Sequence, residues 1–369
     1  MMCGNSMGWW PISPRPGSSP PAPSWFGPFS GPHPPGRRWN RPLGNSLRTS
    51  PTSPVACPKS GWPERPEPMA DPARIAHLRG LEAHLRHHII AQDHVLPRVA
   101  AAFARGELGV TDPTRPRGSF LLVGPTGSGK TETFTCAIDH TFGPGHLTVF
   151  DMSEYQDKSA VTKLIGADRD DAGLLGRALR TRPRGGLLFD ELEKAYPLVM
   201  DLFLQILWNG RVTLATGETV SFHDHYVGFA SNIGGAEAMR MGRSKFASVE
   251  QAVLRRVVQN LRPEFVARID ETLVFALLSP DAQREICGLV VRNETDRLRG
   301  LGYDLQVSRE ALEFLVREGF HPQLGARPLR KTVERQLQDA VVRELFRCGG
   351  AGGEVVMDLG ARRLVIERK

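Results

Sequence analysis

Gly124-Pro125-Thr126-Gly127-Ser128-Gly129-Lys130-Thr131 fits the pattern G-x-x-x-x-G-K-[ST], a loop whose backbone N–H groups and lysine cradle nucleotide phosphates. The preceding Gly118-Ser119-Phe120-Leu121-Leu122-Val123 reads as a short buried strand, and Thr131 to Phe142 as a helix. A phosphate would then sit on a helix N-terminus, where unpaired N–H groups and the dipole favour negative charge. The glycines let the backbone approach the phosphates. Lys130 supplies a point charge, and the Thr131 hydroxyl can ligate Mg²⁺. A Gly-rich turn that merely precedes a helix is the plain alternative, and the strand and helix on either side weigh against it.

Downstream, Leu147 to Phe150 reads as a second buried strand and Gly186 to Phe189 as a third, which delivers Asp190 and Glu191 at its carboxyl end. In an open α/β sheet that end is where ligands bind. Asp190 is therefore the candidate for holding Mg²⁺ through water, and Glu191 for orienting and deprotonating an attacking water. Helix Pro197 to Trp208 is capped by Gly210, and Val212 to Phe222 reads as a hairpin around Thr216-Gly217-Glu218. A fourth strand, Tyr226 to Ala230, ends at Ser231-Asn232, and a last one spans Thr272 to Phe275. Past Ser279-Pro280 the texture changes to helix, turn and short strand. Arg327 sits in Gly325-Ala326-Arg327-Pro328-Leu329, read as the opening of an amphipathic helix, where a cation opposes the dipole and anion contact is favoured.

Upstream, Leu78, Leu81 and Leu85, then Val95, Val99 and Phe103, lie at helical spacing. Between these helices, Ile89 and Ile90 could cover an adenine face or simply pack in the core. Residues 1–68 hold 17 of the 29 prolines and five of the six tryptophans, and are expected to be disordered. Two readings are open: a Pro-rich docking arm, or residues preceding a true start at Met69. The second is preferred, because nothing there has the periodicity to bury tryptophan.

The net charge of +7 invites a nucleic-acid partner, but residues 1–68 carry seven Lys/Arg against two Asp/Glu. That leaves about +2 for the rest, and a basic tail is not a binding face. The five cysteines show no C-x-x-C spacing, so neither a zinc site nor a disulfide framework is expected, and a reducing cytoplasm fits. No run of eighteen apolar residues exists to span a membrane.

Together these residues resemble the AAA+ ATPases of the ClpA/ClpB (Hsp100) family, specifically the second ATPase module with its small C-terminal domain. The resemblance runs from about Leu78 onward. Beyond the phosphate loop it rests on Ile89-Ile90-Ala91-Gln92, Asp112-Pro113-Thr114-Arg115-Pro116, Asp151-Met152-Ser153-Glu154-Tyr155, Leu188-Phe189-Asp190-Glu191-Leu192-Glu193-Lys194-Ala195, Arg262-Pro263-Glu264-Phe265 and Gly325-Ala326-Arg327-Pro328-Leu329. It implies an α/β AAA+ P-loop NTPase fold with a parallel central sheet flanked by helices over 69–277. A small, mainly helical C-terminal domain with short strands follows over 278–369. It also implies ATP and Mg²⁺ as ligands, Asn232 as the sensor-1 residue placing the hydrolytic water, Arg268 as an arginine finger reaching a neighbouring subunit's nucleotide, and Arg327 as the sensor-2 arginine. A shared site implies a homo-oligomeric ring, hexameric by family analogy, acting on a protein substrate or partner complex.

Departures from the family pattern are specific. The span Gly166 to Gly176, equivalent to the pore loop, is shortened, acidic and without an aromatic residue, and Leu174 and Leu175 are expected to face the core. No ClpP-type peptidase-docking loop is recognisable; Met241-Gly242-Arg243 lies in about the right place with the wrong chemistry. Ala91 stands where the family prefers Gly. The first ATPase module, N-terminal domain and coiled-coil insertion have no counterpart in the sequence. The preferred expectation is an ATP-hydrolysing protein-remodelling machine; the alternative is a regulatory or assembly switch for a dedicated complex. A nucleic-acid motor would share the core, but the low net charge after residue 68 and the lack of a recognisable DNA-binding helix-turn-helix argue against it.

Overall fold

Helix α1 (Pro72–His88) starts where the Asp71 carboxylate accepts from the Ala73 N–H and Pro72 fills the first turn. The computed structural model describes residues 71–242, 244–321, 324–349, 353–358 and 362–367. Residues 1–68, expected to be disordered, lie outside the described residues, as does Arg243. Helix α2 (Leu96–Glu107) leads to β1 (Gly118–Val123), and α3 (Lys130–Phe142) crosses to β2 (Leu147–Asp151). Helices α4 (Ala160–Ile165) and α5 (Gly173–Thr181) precede β3 (Gly185–Asp190) and α6 (Pro197–Asn209). Strands β4 (Arg211–Thr213) and β5 (Thr219–Ser221) form the expected hairpin before β6 (His225–Ser231). Helices α7 (Gly235–Arg240), α8 (Phe246–Asn260) and α9 (Pro263–Val266) then lead to β7 (Glu271–Val274).

The sheet runs β2-β3-β6-β1-β7, every pair parallel. Its strands are near-continuous apolar runs because both faces are covered. Successive side chains alternate: Leu121, Val123, Leu187, Phe189, Val227 and Phe229 face the core shared with α4 to α6 and α8. Phe120, Leu122, Leu188 and Tyr226 face the core shared with α1 to α3. Burying each such side chain is worth about 1.5–3 kcal/mol, so the two layers fix the sheet and hence its carboxyl edge. Among the described residues no helix is long and apolar enough to cross a membrane.

Ser279 caps α10 (Pro280–Arg299) by accepting from the Ala282 N–H, and Ser308 caps α11 (Arg309–Gly319) in the same way. Between the helices lies β8 (Leu305–Val307); after them come α12 (Leu329–Cys348), β9 (Gly353–Asp358) and β10 (Arg363–Glu367). These enclose a third core around Leu298, Phe314, Leu329, Val333, Leu337 and Leu364. The result is the mainly helical C-terminal region with short strands that the sequence predicts. The Gln283 amide of α10 donates to the Leu278 carbonyl at 3.1 Å, fixing the end of the connection from β7.

Two expectations need correction. Leu175 is buried, but Leu174 is 37% exposed and does not face the core. It is at the first turn of α5, one position round from the buried face. Arg327 does not open a helix: α12 begins at Leu329, because Arg327 and Pro328 close the turn in which the Arg327 N–H bonds the Leu324 carbonyl at 3.2 Å.

Candidate active site

Parallel register opposes Val123 with Ser231 and Asp151 with Asp190, so Gly124, Asn232 and Glu191 all leave the sheet at its carboxyl edge. There the side chains meet. The Lys130 Nζ donates to the Gly124 and Pro125 carbonyls at 2.9 and 2.8 Å and to Asn232 Oδ1 at 3.0 Å. The Thr126 hydroxyl donates to the same Asn232 oxygen at 3.3 Å, and the Thr131 hydroxyl to Asp190 Oδ2 at 3.2 Å. The other Asp190 oxygen accepts the Glu191 N–H at 2.9 Å.

Enclosure governs the electrostatics. Burial pushes the Lys130 ammonium down to about 8, against the upward pull of Asp190, Glu193 and Glu191. An anion placed beside it favours the charged form again. Glu191 holds a left-handed backbone, φ 55° and ψ 43°, at a cost of about 1–3 kcal/mol for a residue with a side chain. Its carboxylate pairs with Lys194 Nζ at 2.5 Å, which raises the Lys194 pKa. The cap residue of helix α3 is Gly129, which has no side chain to occupy the N–H groups of the first turn. This donor set suits a polyphosphate, and the Thr131–Asp190 pair offers the hard oxygens Mg²⁺ takes.

Two supporting residues escaped the sequence reading. Glu193 accepts from the Ser231 hydroxyl at 2.7 Å and from the Asn232 N–H at 3.2 Å, holding the strand end that presents Asn232. Gln92 is fully buried. Its amide donates to the Ser128 and Ala276 carbonyls, both at 3.1 Å, and accepts from the Ala276 N–H at 2.9 Å. One side chain thus joins the phosphate loop to the exit of β7. Only a polar residue retained between apolar helices signals it in the sequence.

Ala91, beside Gln92, has φ 60°, a left-handed conformation costing an L-residue about 1–2 kcal/mol. The greater chain entropy of Gly offsets part of this. Ala91→Gly is therefore expected to stabilise the protein by up to about 1 kcal/mol, read as a higher midpoint of denaturant unfolding; a lower midpoint would refute the strain. Ile89 packs into the α1–α3 core, whereas Ile90 is half-buried, so of the two candidates for an adenine face Ile90 is the more accessible.

The arginines lie apart from this cluster. Arg268 stacks on the exposed Trp208 ring, its guanidinium carbon 4.5 Å from the centroid, and donates to the Leu204 carbonyl at 3.2 Å. Two residues on, Asp270 accepts from the Ser119 N–H and hydroxyl at 2.8 and 2.7 Å, anchoring the segment to β1. Arg327 is exposed, but the turn before it lies against the phosphate loop: Ala326 N–H reaches the Gly127 carbonyl at 3.4 Å. Asp151 is held below the usual carboxylate range chiefly by its hydrogen bond to Ser153, with smaller contributions from Lys194 and Arg327.

Residues 115–272 match the family model described as AAA domain (Cdc48 subfamily), and residues 278–357 the one described as C-terminal, D2-small domain, of ClpB protein. Over 305 residues the chain is 36% identical to "Chaperone protein ClpB 1" of Synechococcus elongatus, covering 80% of this chain and 35% of that protein. It is 37% identical over 300 residues to "Chaperone protein ClpB 2" of Nostoc sp., covering 79% and 34%. With "Chaperone protein ClpC3, chloroplastic" of Oryza sativa subsp. japonica it shares 34% over 319 residues, covering 81% and 34%. The chain thus spans about a third of the length of these curated relatives.

Proposed function

The chain belongs to the AAA+ ATPase family in its ClpB-type form, an ATPase module followed by a D2-small domain, and on that premise we propose that it hydrolyses ATP to remodel a protein partner. The observation that carries this reading is the meeting of Lys130, Thr131, Asp190, Glu191 and Asn232 at one sheet edge. The ATPase domain is taken as 69–277 and the small domain as 278–369.

Phosphoryl transfer needs positioning and charge stabilisation more than covalent chemistry. Lys130 and the first turn of α3 hold the phosphates, and Thr131 and Asp190 hold Mg²⁺. When bound, that ion neutralises charge on the outer phosphates. Glu191 accepts the proton of the attacking water, and Asn232, fixed by Glu193, orients that water. Arg327 reaches the outer phosphate from the turn seated on the phosphate loop. Arg268 serves the neighbouring copy in a ring, which we take as hexameric, and Trp208 holds it ready. Planar guanidinium groups suit the charge spread over equatorial oxygens.

Arg268→Ala is expected to lower steady-state ATP turnover by about 10³-fold with nucleotide affinity unchanged. Mixing it with Glu191→Gln subunits should restore part of the activity, because each variant supplies what the other lacks. Loss of turnover with no restoration on mixing would place Arg268 in its own site, and unchanged turnover would remove it from catalysis.

A regulatory or assembly switch is favoured by one feature. The segment 166–172 is a closed acidic turn, in which Asp171 accepts from the Ala167 and Gly173 N–H groups at 3.2 and 2.9 Å, and it carries no aromatic residue to grip a polypeptide. Stimulation of turnover by unfolded casein supports remodelling, and no response to casein or DNA supports the switch. Stimulation by DNA alone overturns both.

A further inference from the structure

Along the middle and last turn of α3, past the phosphate loop, α1 and α3 meet through histidines. His77, His84 and His88 on α1 face Cys136 and His140 on α3. One ligand atom from each of His84, His88 and Cys136 lies within 4.8 Å of the other two. We propose that these three side chains form a zinc site that ties α1 to the helix carrying the phosphate loop.

The donor set is the first reason. Two imidazoles and a thiolate are the borderline-soft ligands that select Zn²⁺ over Mg²⁺ or Ca²⁺, and three protein ligands leave a fourth tetrahedral position for water. Ligand atoms around a zinc with bonds of 2.0–2.3 Å sit about 3.4–3.6 Å apart, so the triad has to contract only modestly from its 4.8 Å span to hold the ion. His84 and His88 are four apart on one helix and share a face.

Orientation is the second. His88 Nδ1 donates to the His84 carbonyl at 2.9 Å, and because a carbonyl only accepts, the proton is on Nδ1 and the Nε2 lone pair is left for a metal. Next to the triad, His77 Nε2 donates to the His140 carbonyl at 2.7 Å and His140 Nε2 to the His77 carbonyl at 3.1 Å. Their rings stack at 4.2 Å with planes 2° apart. This reciprocal pair fastens the two helices in register, so the ligands are held on a rigid pair of elements. Coordination would displace the Cys136 thiol proton to solvent with no change of oxidation state.

Cysteine spacing gave no sign of such a site because its ligands come from two helices and only one is a cysteine. Cys136 follows Lys130 by six residues, about 9 Å along the helix axis. The site is therefore separate from the candidate nucleotide cluster and stands whatever the phosphate loop binds.

Co²⁺ titrated into the full chain without nucleotide is the test. One equivalent should produce the thiolate-to-metal charge-transfer band and ligand-field bands of a tetrahedral site, and Zn²⁺ should displace it stoichiometrically. Cys136→Ser should abolish the charge-transfer band with the circular dichroism spectrum unchanged. His77→Ala, which removes a packing histidine and not a ligand, should retain it. Zn²⁺ should raise the melting temperature of the unaltered chain and leave that of Cys136→Ser where it was. No band in the folded chain, or a band that persists in Cys136→Ser, would overturn the site.

Discussion

Glu191→Gln is expected to lower ATP turnover by about 10²–10⁴-fold, the usual worth of a positioned general base, while nucleotide still binds. Gln keeps the shape of Glu but accepts no proton from water. The left-handed backbone at Glu191 is held by neighbours the substitution leaves alone: its carbonyl accepts the Lys194 N–H at 2.9 Å, and its N–H remains on Asp190. The variant does lose the ion pair to Lys194, a partly exposed contact that contributes little. Phosphate release measures turnover and a fluorescent ATP analogue measures affinity. A loss below about tenfold would remove Glu191 as the base. Because the variant should hold ATP without consuming it, it is also the form with which to test for the proposed protein partner.

Gly127→Ala should damage both lobes at once. Gly127 has φ 70°, and a Cβ there would lie 2.3 Å from the Leu324 carbonyl oxygen and 2.7 Å from the Ala326 nitrogen. Gly325 mirrors it: φ is 57° and a Cβ would come within 2.5 Å of the Thr126 carbonyl oxygen. All the obstructing atoms are backbone, which cannot rotate away. Left-handed strain of about 1–2 kcal/mol adds to overpacking of about 1–3 kcal/mol. The expected destabilisation is about 2–5 kcal/mol, with ATP affinity reduced at least about tenfold. Gly109 separates the two causes, since it shares φ 70° but has open space where a Cβ would go. Gly109→Ala should show the backbone strain alone and leave ATP affinity intact. Equal losses from Gly109→Ala and Gly127→Ala would show that seating the C-terminal turn on the phosphate loop contributes nothing.

The sheet was legible because its strands are short apolar runs broken by glycine, proline or acid, and because buried parallel strands need no polar face. The same runs put Asp190, Glu191 and Asn232 at or just past a strand end, and Lys130 at the helix start that follows β1, where local pattern and three-dimensional position coincide. Pairings between distant segments were not legible. Nothing in the spacing of Trp208 and Arg268 indicates that one stacks on the other, and the His84–His88–Cys136 cluster requires knowing that α1 lies on α3. Leu174 was misplaced because two adjacent leucines at a helix start leave the buried face undecided by periodicity. Ala91 was recognised as a departure from a glycine, but its cost became visible only with its φ angle.

The Gln92 clamp also locates motion. Ala276 is held on both sides by that amide, and two residues later the Leu278 carbonyl is held by Gln283. Between them Leu277 stands 44% exposed. A swing of the three C-terminal helices against the parallel sheet would be taken up most readily by the backbone torsions of Leu277 and Leu278, which lie between these two fixed carbonyls. The fixed side of that pivot is bolted, through Ser128, to the loop that would sense whether a phosphate has left.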